Sequence, residues 1–546
     1  MKNAFLFLTV TFALVNIATL VPTALAQETD GTGWLNIETR HFKILSDADP
    51  ERATEIAENL ELFRGVFAHL APDFELRSPA PTHIYIFRDA ESYAPFHVGK
   101  SGARVLGQFG SHTDGNYLTL DADTADLVGP YAVVYHEFVH YLVKHNFSRV
   151  PLWFNEGLAE YYSTFAVEDG HVVLGRPVER HLRWLSRDPE IGLSEVLETT
   201  RSSSSYREGQ KAGRFYAVSW TLVHYLLSGG TDRLDAMADF FFRLAEGEDA
   251  WDAFENAFDI RLGRMEETLI EYVAGGDFRQ ARIPVRQVSS GSARVREAEP
   301  ADVLAGLGDL LTHQRRSDDA QGYLRLAFDN VTDHPRALTG MGLILDLDNR
   351  FEEASVYYQD ALAAGSRDPA TYLYYGRNLL LRAQRSRDRE EVARLTAESR
   401  RVLTQGTDMD GSFGELWVFL GTAHQTPGGD TQAGIRALRK AHELLPDRHD
   451  VVLKLVKFLV IEAEFNEARR LIETGLAARG APEEKVEEAR EDVERARLLH
   501  ASQNAYDSGY MEDAIHYLDE AVEVTTDPVL REQLEDRLRI LIEKEG

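Results

Sequence analysis

The chain has 546 residues, no cysteine and a formal net charge of −30 at pH 7. This length, with a hydrophobic fraction of 44%, is enough for two or three hydrophobic cores. The acidic charge, with no compensating basic run, argues against nucleic acid as a partner and disfavours anionic membranes, because phosphate binding requires a Lys/Arg surface.

The first 26 residues have the pattern of a signal peptide. Lys2 gives a positive start, residues 4–21 are almost all apolar, and an Ala-Leu-Ala sequence ends at Ala26. The pattern predicts export and cleavage after Ala26. The alternative is an uncleaved anchor, since the apolar stretch approaches the length of a membrane span. With no thiol to form a disulfide, we expect a periplasmic or secreted protein without stable membrane insertion after cleavage.

Residues 27–286 are predicted to form one α+β domain. Short runs rich in β-branched and aromatic residues at 41–45, 83–87 and 116–120 accompany a helical stretch at 49–70. Such runs are typical of short strands that pack against a helix. A sheet is therefore expected before the motif that carries the chemistry.

That motif lies at residues 136–140, which read His-Glu-Phe-Val-His. Positions i and i+4 of a helix share one face and lie roughly 6 Å apart, which suits two imidazole nitrogens that bind one Zn²⁺. Glu137 lies beside that face, where it can take a proton from a metal-bound water. His136 and His140 are the predicted zinc ligands and Glu137 the predicted general base. The alternative is an ion-paired helix hairpin without metal.

A second motif, Asn-Glu-Gly-Leu-Ala-Glu, follows at residues 155–160. Pro130 can open the first helix, and residues 145–151 read as a short connection to a second helix packed back against it. Glu156 is then the predicted third ligand, which leaves the fourth zinc position open as in catalytic sites. Glu160, one turn later, can accept the free N–H of a ligating histidine.

Together the two motifs resemble those of the gluzincin metallopeptidases, and most closely those of the peptidase-MA-like family of secreted bacterial proteins. The resemblance implies Zn²⁺ as the cofactor, with the ligands, base and supporting carboxylate named above. It also implies a sheet whose edge strand pairs with the backbone of a peptide substrate. The Gly-Ala-Met-Glu-Asn element with which aminopeptidases hold a free amine is missing from the sequence, which favours an endopeptidase.

An apolar helix with a few polar groups is predicted at residues 213–226. Tyr216 lies about where the resemblance places the tyrosine that stabilises the oxyanion of the transition state, so it is a catalytic candidate. The alternative is that Tyr216 packs with its hydroxyl at the surface. His224, a lone histidine on the same apolar helix, is better explained as a core residue.

The polar stretch 287–300 predicts a linker, which would let the two halves fold independently. Beyond it, over residues 301–546, the chain repeats. Small residues recur at 34-residue offsets, which are Gly308 and Gly342, Ala320 and Ala354, and Ala327 and Ala361. This period resembles that of tetratricopeptide repeats and predicts five to seven helix pairs that stack into a superhelix and bind a protein or peptide. Another type of helical repeat is the alternative.

The predicted fold class is thus an α+β zinc metallopeptidase domain followed by an all-α tetratricopeptide-like superhelix, predominantly helical overall. We expect an envelope peptidase that cleaves peptide or protein substrates and recruits substrates or protein partners through its repeats. The alternative is a catalytically silent scaffold that binds peptides and partners. The presence of His136, Glu137, His140 and Glu156 together favours the enzyme.

Overall fold

The structure is a computed structural model that describes residues 29–70, 72, 76, 78–98, 107–123, 132–146, 150–187, 191–200, 203, 209–288 and 291–545. The predicted signal peptide, residues 1–26, lies outside these ranges. The chain is predominantly helical, as predicted. No helix in the described ranges is both long enough and apolar enough to cross a membrane.

A six-stranded mixed sheet forms the centre of the N-terminal half, in the order β4-β5-β3-β2-β1-β9. Its strands are β1 (Leu35–Glu38), β2 (Lys43–Ser46), β3 (Thr82–Phe87), β4 (Gly107–Ser111), β5 (Asn116–Asp121) and β9 (Arg294–Glu297). The central strands β2, β3 and β5 are parallel, and the outer strands pair antiparallel. A small second sheet contains β6 (Ala166–Glu168), β7 (His171–Leu174) and β8 (Ala281–Pro284). The edge strands β4 and β9 were missed by the sequence analysis.

Ten helices belong to the described part of this half. They are α1 (Pro50–Leu70), α2 (Ala90–Tyr93), α3 (Ala132–Asn146), α4 (Leu152–Tyr162), α5 (Glu179–Arg187), α6 (Leu193–Glu198), α7 (Gly209–Leu227), α8 (Thr231–Ala245), α9 (Ala250–Phe258) and α10 (Leu262–Gly275). Short 3-10 turns occur at Ala94–Phe96 and Val285–Gln287. The helices α3 and α4 are the hairpin that the two motifs predict.

Both faces of the large sheet are covered, because side chains alternate between the faces along each strand. In β3, Ile84 and Ile86 belong to the core shared with α1 and α3. Tyr85 and Phe87 point the other way and belong to a core shared with the first helices of the C-terminal half. The sheet is therefore the layer that joins the two halves of the chain.

The C-terminal half is an array of helix pairs with a final single helix. The pairs are α11 (Pro300–His313) with α12 (Ser317–Asn330), α13 (Pro335–Leu347) with α14 (Phe351–Ala363), α15 (Pro369–Arg385) with α16 (Arg389–Met409), α17 (Gly414–His424) with α18 (Thr431–Leu444), α19 (His449–Ile461) with α20 (Phe465–Ile472), and α21 (Glu483–Asp507) with α22 (Met511–Val524). The last helix is α23 (Pro528–Glu545).

The small residues of the 34-residue period lie where two helices of a pair cross. A Cβ atom at Gly308 would come within 2.8 Å of the Leu324 side chain, and one at Gly342 within 2.6 Å of Tyr358. Only glycine allows these helices to approach so closely. The tetratricopeptide-like repeat fold is thus present, with six pairs over residues 291–545.

The structure differs from the predicted linker at 287–300. Within that stretch, β9 pairs along its whole length with β1, from Arg294 opposite Glu38 to Glu297 opposite Leu35. All four β9 side chains are exposed, so its polar composition reflects a solvent-facing edge strand rather than a tether. β9 and the aromatic face of the sheet thus join the two halves at the place of the predicted linker.

Candidate metal centre

The α3–α4 hairpin brings together the three side chains that the sequence predicts as zinc ligands. The Nε2 atoms of His136 and His140 are 3.0 Å apart, and they lie 3.5 Å and 3.3 Å, respectively, from Oε2 of Glu156. Three donors bonded to one tetrahedral ion at ~2.1 Å would be separated by roughly 3.4 Å. The spacing of the donor atoms therefore fits one Zn²⁺.

The donor set is also unusual within the chain. Among the described residues, His136, His140 and Glu156 are the one group of three or more His, Cys, Asp or Glu side chains that could hold a metal ion. Two imidazoles and one carboxylate form the protein ligand set of many catalytic zinc sites, in which the fourth position stays open. The chemistry of the donors agrees with their geometry.

Close packing of α4 on α7 fixes the position of the third donor. A Cβ atom at Gly157 would overlap the backbone carbonyl of Ser219 in α7, so the glycine lets the two helices touch. The neighbouring Glu156 is consequently buried, with 4% of its side chain exposed. A carboxylate held in this way loses little entropy when it binds a cation.

The electrostatics of the three donors favour the charged carboxylate. Burial alone would raise the pKa of Glu156, but hydrogen bonds and positive charge from His136 and His140 outweigh it and lower the pKa to about 2. Burial would lower the pKa of His140, yet its contacts with Glu156 and Asn155 raise that pKa overall. The carboxylate of Glu156 is therefore held in the anionic form that binds a cation.

Two polar residues of α4 orient the imidazoles. Nδ1 of His140 lies 3.0 Å from Oδ1 of Asn155; an N–H there donates to the amide oxygen and leaves Nε2 free to face the other donors. Oε1 of Glu160 is 3.7 Å from Nδ1 of His136, which is an ion-pair contact rather than a hydrogen bond. Glu160 thus lies beside one of the two predicted histidine ligands, but without a direct hydrogen bond.

Glu160 is bound instead by the first turn of α5. Arg180 donates to its Oε1 at 2.6 Å, and Nε2 of His181 lies 3.0 Å from its Oε2. Burial would raise the pKa of Glu160, but the hydrogen bond and charge of His181, with the charge of Arg180, lower it to about 2. The carboxylate is therefore ionised and held in place.

A cavity of about 370 Å³ opens beside the donors. Its lining includes His136, Glu137, Glu160, Trp184 and Tyr216. The predicted base and the predicted oxyanion donor therefore face the same space as one of the ligating histidines. A cleft with few convergent polar groups is the usual form of a small-substrate or side-chain site.

One family of proteins matches part of the N-terminal half. A family described as "Protein of unknown function (DUF1570)" matches residues 131–246, a range that runs from α3 into the segment after α8 and contains every predicted site residue. No curated protein matches the chain. The family description assigns no function, so it leaves the chemistry of the site open.

Several solved structures match with low scores. A Pseudomonas aeruginosa pilF structure is 16% identical, covers 43% of this chain and 97% of its own, and has a TM-score of 0.30. YrrB, described as a TPR protein with an unusual peptide-binding site, is 17% identical, with 39% and 97% covered and a TM-score of 0.29. A thermophilic TPR protein of Thermus thermophilus is 14% identical, with 44% and 98% covered and a TM-score of 0.26.

None of these descriptions names a peptidase or a metal. At these scores and identities the likenesses carry no argument about ligands, and the repeat fold rests on the helix pairs themselves.

His224 has a packing role in the structure. Its Nε2–H donates to the carbonyl of Gly175 at 2.8 Å, and its Nδ1 lies 2.7 Å from the hydroxyl of Tyr272, which donates to it. Burial lowers the pKa of His224, so the ring stays neutral. It is not part of the lining of the 370 Å³ cavity.

Sequence reasoning missed Asn155, Arg180 and His181 as supporting residues. Asn155 could have been predicted as a supporting residue, because it directly precedes the predicted ligand Glu156 in the same helix. Arg180 and His181 lie at the start of α5, beyond the small β6–β7 hairpin. No spacing rule connects that position to Glu160, so only the tertiary structure reveals them.

Proposed function

We propose that the protein is a zinc-dependent peptidase of the cell envelope, and that it acts as an endopeptidase. The observation that carries the proposal is the set of three donor atoms separated by 3.0 to 3.5 Å, with Glu137 and Tyr216 lining the adjoining cavity. An ion-paired helix hairpin without metal would account for the two imidazole–carboxylate contacts, but it would not bring the two Nε2 atoms to 3.0 Å from each other.

In this proposal the side chains divide the work. Zn²⁺ held by His136, His140 and Glu156 would supply a Lewis acid that makes water nucleophilic at neutral pH. The Glu137 carboxylate accepts the proton of the attacking water and passes it to the leaving amide nitrogen. The Tyr216 hydroxyl donates to the oxyanion that develops on the attacked carbonyl.

The open edge of the large sheet is an argument that the substrate is a peptide rather than a small molecule. Among the described strands, β4 pairs with β5 alone, so its outer edge presents backbone groups to which an extended chain can add. A Cβ atom built on Gly107 of β4 would lie 3.7 Å from Val134 of α3, two residues before the predicted ligand His136. We propose that the substrate backbone lies along β4.

Metal analysis tests the site directly. The purified protein should hold about one Zn²⁺, and His136→Ala combined with His140→Ala should lose it, because one remaining protein ligand holds the ion poorly. His516→Ala is the matched control, since that histidine is exposed and lies far along the chain in α22. Full zinc retention in the double variant, measured by atomic emission, would overturn the site assignment.

Replacement of Tyr216 by phenylalanine tests the oxyanion donor. We expect kcat to fall by about 10²-fold with little change in KM, because the hydroxyl acts on charge that exists only in the transition state. Tyr225→Phe, in the same helix but outside the cavity lining, should leave both constants unchanged. An unaltered rate in Tyr216→Phe would return Tyr216 to a packing role.

The second candidate function is a scaffold that binds peptides or partners without cleaving them. The observation that favours it is the array of six helix pairs, a fold that uses its surface for binding. A protein that binds zinc at the predicted ligands but leaves every member of a peptide library intact would support this function against the peptidase.

A further inference from the structure

The turn of the β4–β5 hairpin is tied to the repeat helices by a buried polar cluster. Oδ2 of Asp114 in the turn lies 3.6 Å from Nε2 of His313, at the end of α11. Tyr117 of β5 stacks on the His313 ring with 4.3 Å between ring centroids. The Tyr117 hydroxyl donates to Asp309 of α11 at 3.1 Å. Two residues of the first repeat thus meet two residues of the hairpin.

His313 lies at the centre of this cluster. Its Nδ1–H donates to the backbone carbonyl of Asp309 at 2.9 Å and is 3.3 Å from the Asp309 carboxylate. The Tyr374 hydroxyl of α15 lies 3.4 Å from its Nε2. Only 6% of the His313 side chain and 14% of the Asp114 side chain are exposed, so water contributes little to their solvation.

The charges within the cluster depend on one another. Burial would lower the pKa of His313, but Asp309 and Asp114 together raise it to about 10, so the ring is a cation at neutral pH. A buried ion pair is strongly destabilised when one partner is removed, because the other charge is left without compensation. When His313 is removed, Asp309 keeps its ion pair with Arg336 at 3.0 Å, whereas Asp114 loses its 3.6 Å contact with a cation. The hairpin turn is therefore held less firmly without His313.

The hairpin in turn determines where the edge strand lies. β4 and β5 are paired over five residues, and Tyr117 follows the turn by two positions. If the turn loses its contacts with α11, β4 can therefore move together with it. β4 contacts α3 through Gly107 and Val134. Movement of the hairpin would therefore change the distance between the strand edge and the metal face of α3.

We propose that His313 is a positioning residue that acts from the repeat half: it holds the β4–β5 hairpin, and thereby the edge of β4, beside the candidate zinc site. The substrate-binding consequence rests on the proposed peptidase function, whereas the effect on the hairpin does not. The first repeat then forms part of the active-site architecture, because it packs against the sheet of the same chain.

The test compares three variants of the full-length protein by amide hydrogen exchange, zinc content and peptide kinetics. His313→Asn and Asp114→Asn should speed exchange in residues 107–121 by about tenfold through local opening of the hairpin. Bound zinc should stay unchanged, and KM for an extended peptide should rise severalfold with kcat nearly constant. The double variant should show no more than the larger single effect.

The matched control is His334→Asn. His334 pairs with Asp302 at 3.0 Å, which is the same kind of contact within the repeats, and asparagine preserves its N-cap role in α13. Its hairpin exchange should equal that of the wild type. Unchanged exchange in both Asp114→Asn and His313→Asn, or equal acceleration in His334→Asn, would overturn the proposal.

The test also covers a variant that does not fold and a wild type that cleaves no peptide. If His313→Asn does not fold, Asp114→Asn, which changes only the turn, carries the same test. If the wild type cleaves no peptide, the proposed function fails, and the exchange data still decide whether His313 positions the hairpin.

Discussion

Replacement of Glu137 by glutamine should reduce peptide cleavage by roughly 10²- to 10⁴-fold, the usual contribution of a general base. Glutamine keeps the shape of the side chain but cannot accept the proton of the attacking water. Glu137 is not among the three residues whose donor atoms come together, so bound zinc should remain near one per chain. The measurement is the turnover of a fluorogenic peptide alongside the metal content of the same sample.

Glu179→Gln is the matched control for this prediction. Glu179 begins α5, next to Arg180, and is exposed, so the same chemical change there should leave turnover unaltered. Unchanged turnover in Glu137→Gln would mean that another group is the base. Loss of zinc along with activity would instead make Glu137 a structural residue of α3.

The geometry of the metal face could be predicted from the sequence, because it depends on short-range rules. The i and i+4 positions of one helix fix His136 relative to His140. A short connection between two helices constrains Glu156 to lie against them. The 34-residue period of small residues likewise identifies the close helix crossings at Gly308 and Gly342. In each case the information lies within one or two adjacent elements.

The long-range contacts could not be predicted in this way. Arg180 and His181 reach Glu160 only because α5 folds back on α4. β9 pairs with β1 from the opposite end of the N-terminal half, and its four exposed residues, three of them charged, are typical of a linker in the sequence. The sequence of β3 places a large side chain on each of its faces, Ile84 on one and Tyr85 on the other. It does not reveal that the repeats cover the second one.

That second face leads to the prediction with the largest effect on stability. A protein that ends at Gln287 should fail to fold cooperatively, contrary to the independent halves expected from the sequence. It would expose four aromatic side chains that pack with the first repeats, which are Trp34, Tyr85, Phe87 and Tyr117. Each is at most 5% exposed in the full chain.

The free energy lost by exposing these side chains is comparable to the stability of a whole domain. A fully buried large side chain contributes roughly 1.5–3 kcal/mol, so exposure of four costs about 6–12 kcal/mol, against a total stability of about 5–15 kcal/mol for a typical domain. The truncation also removes β9, which leaves the backbone groups of β1 without their partners. Thermal unfolding followed by circular dichroism should therefore show no sharp transition, and the sample should retain little zinc.

A shorter truncation after Asp527 provides the control, because it removes α23, which contains no buried residue. Its loss should lower the Tm by only a few degrees, since it exposes little of α22. The decisive contrast is between the two truncations. A monomeric protein ending at Gln287 that unfolds in one sharp transition and holds one zinc would show that the sheet is stable without the repeats. The close packing of Tyr85 and Phe87 on α11 would then be a docking contact between two folded domains rather than part of a shared core.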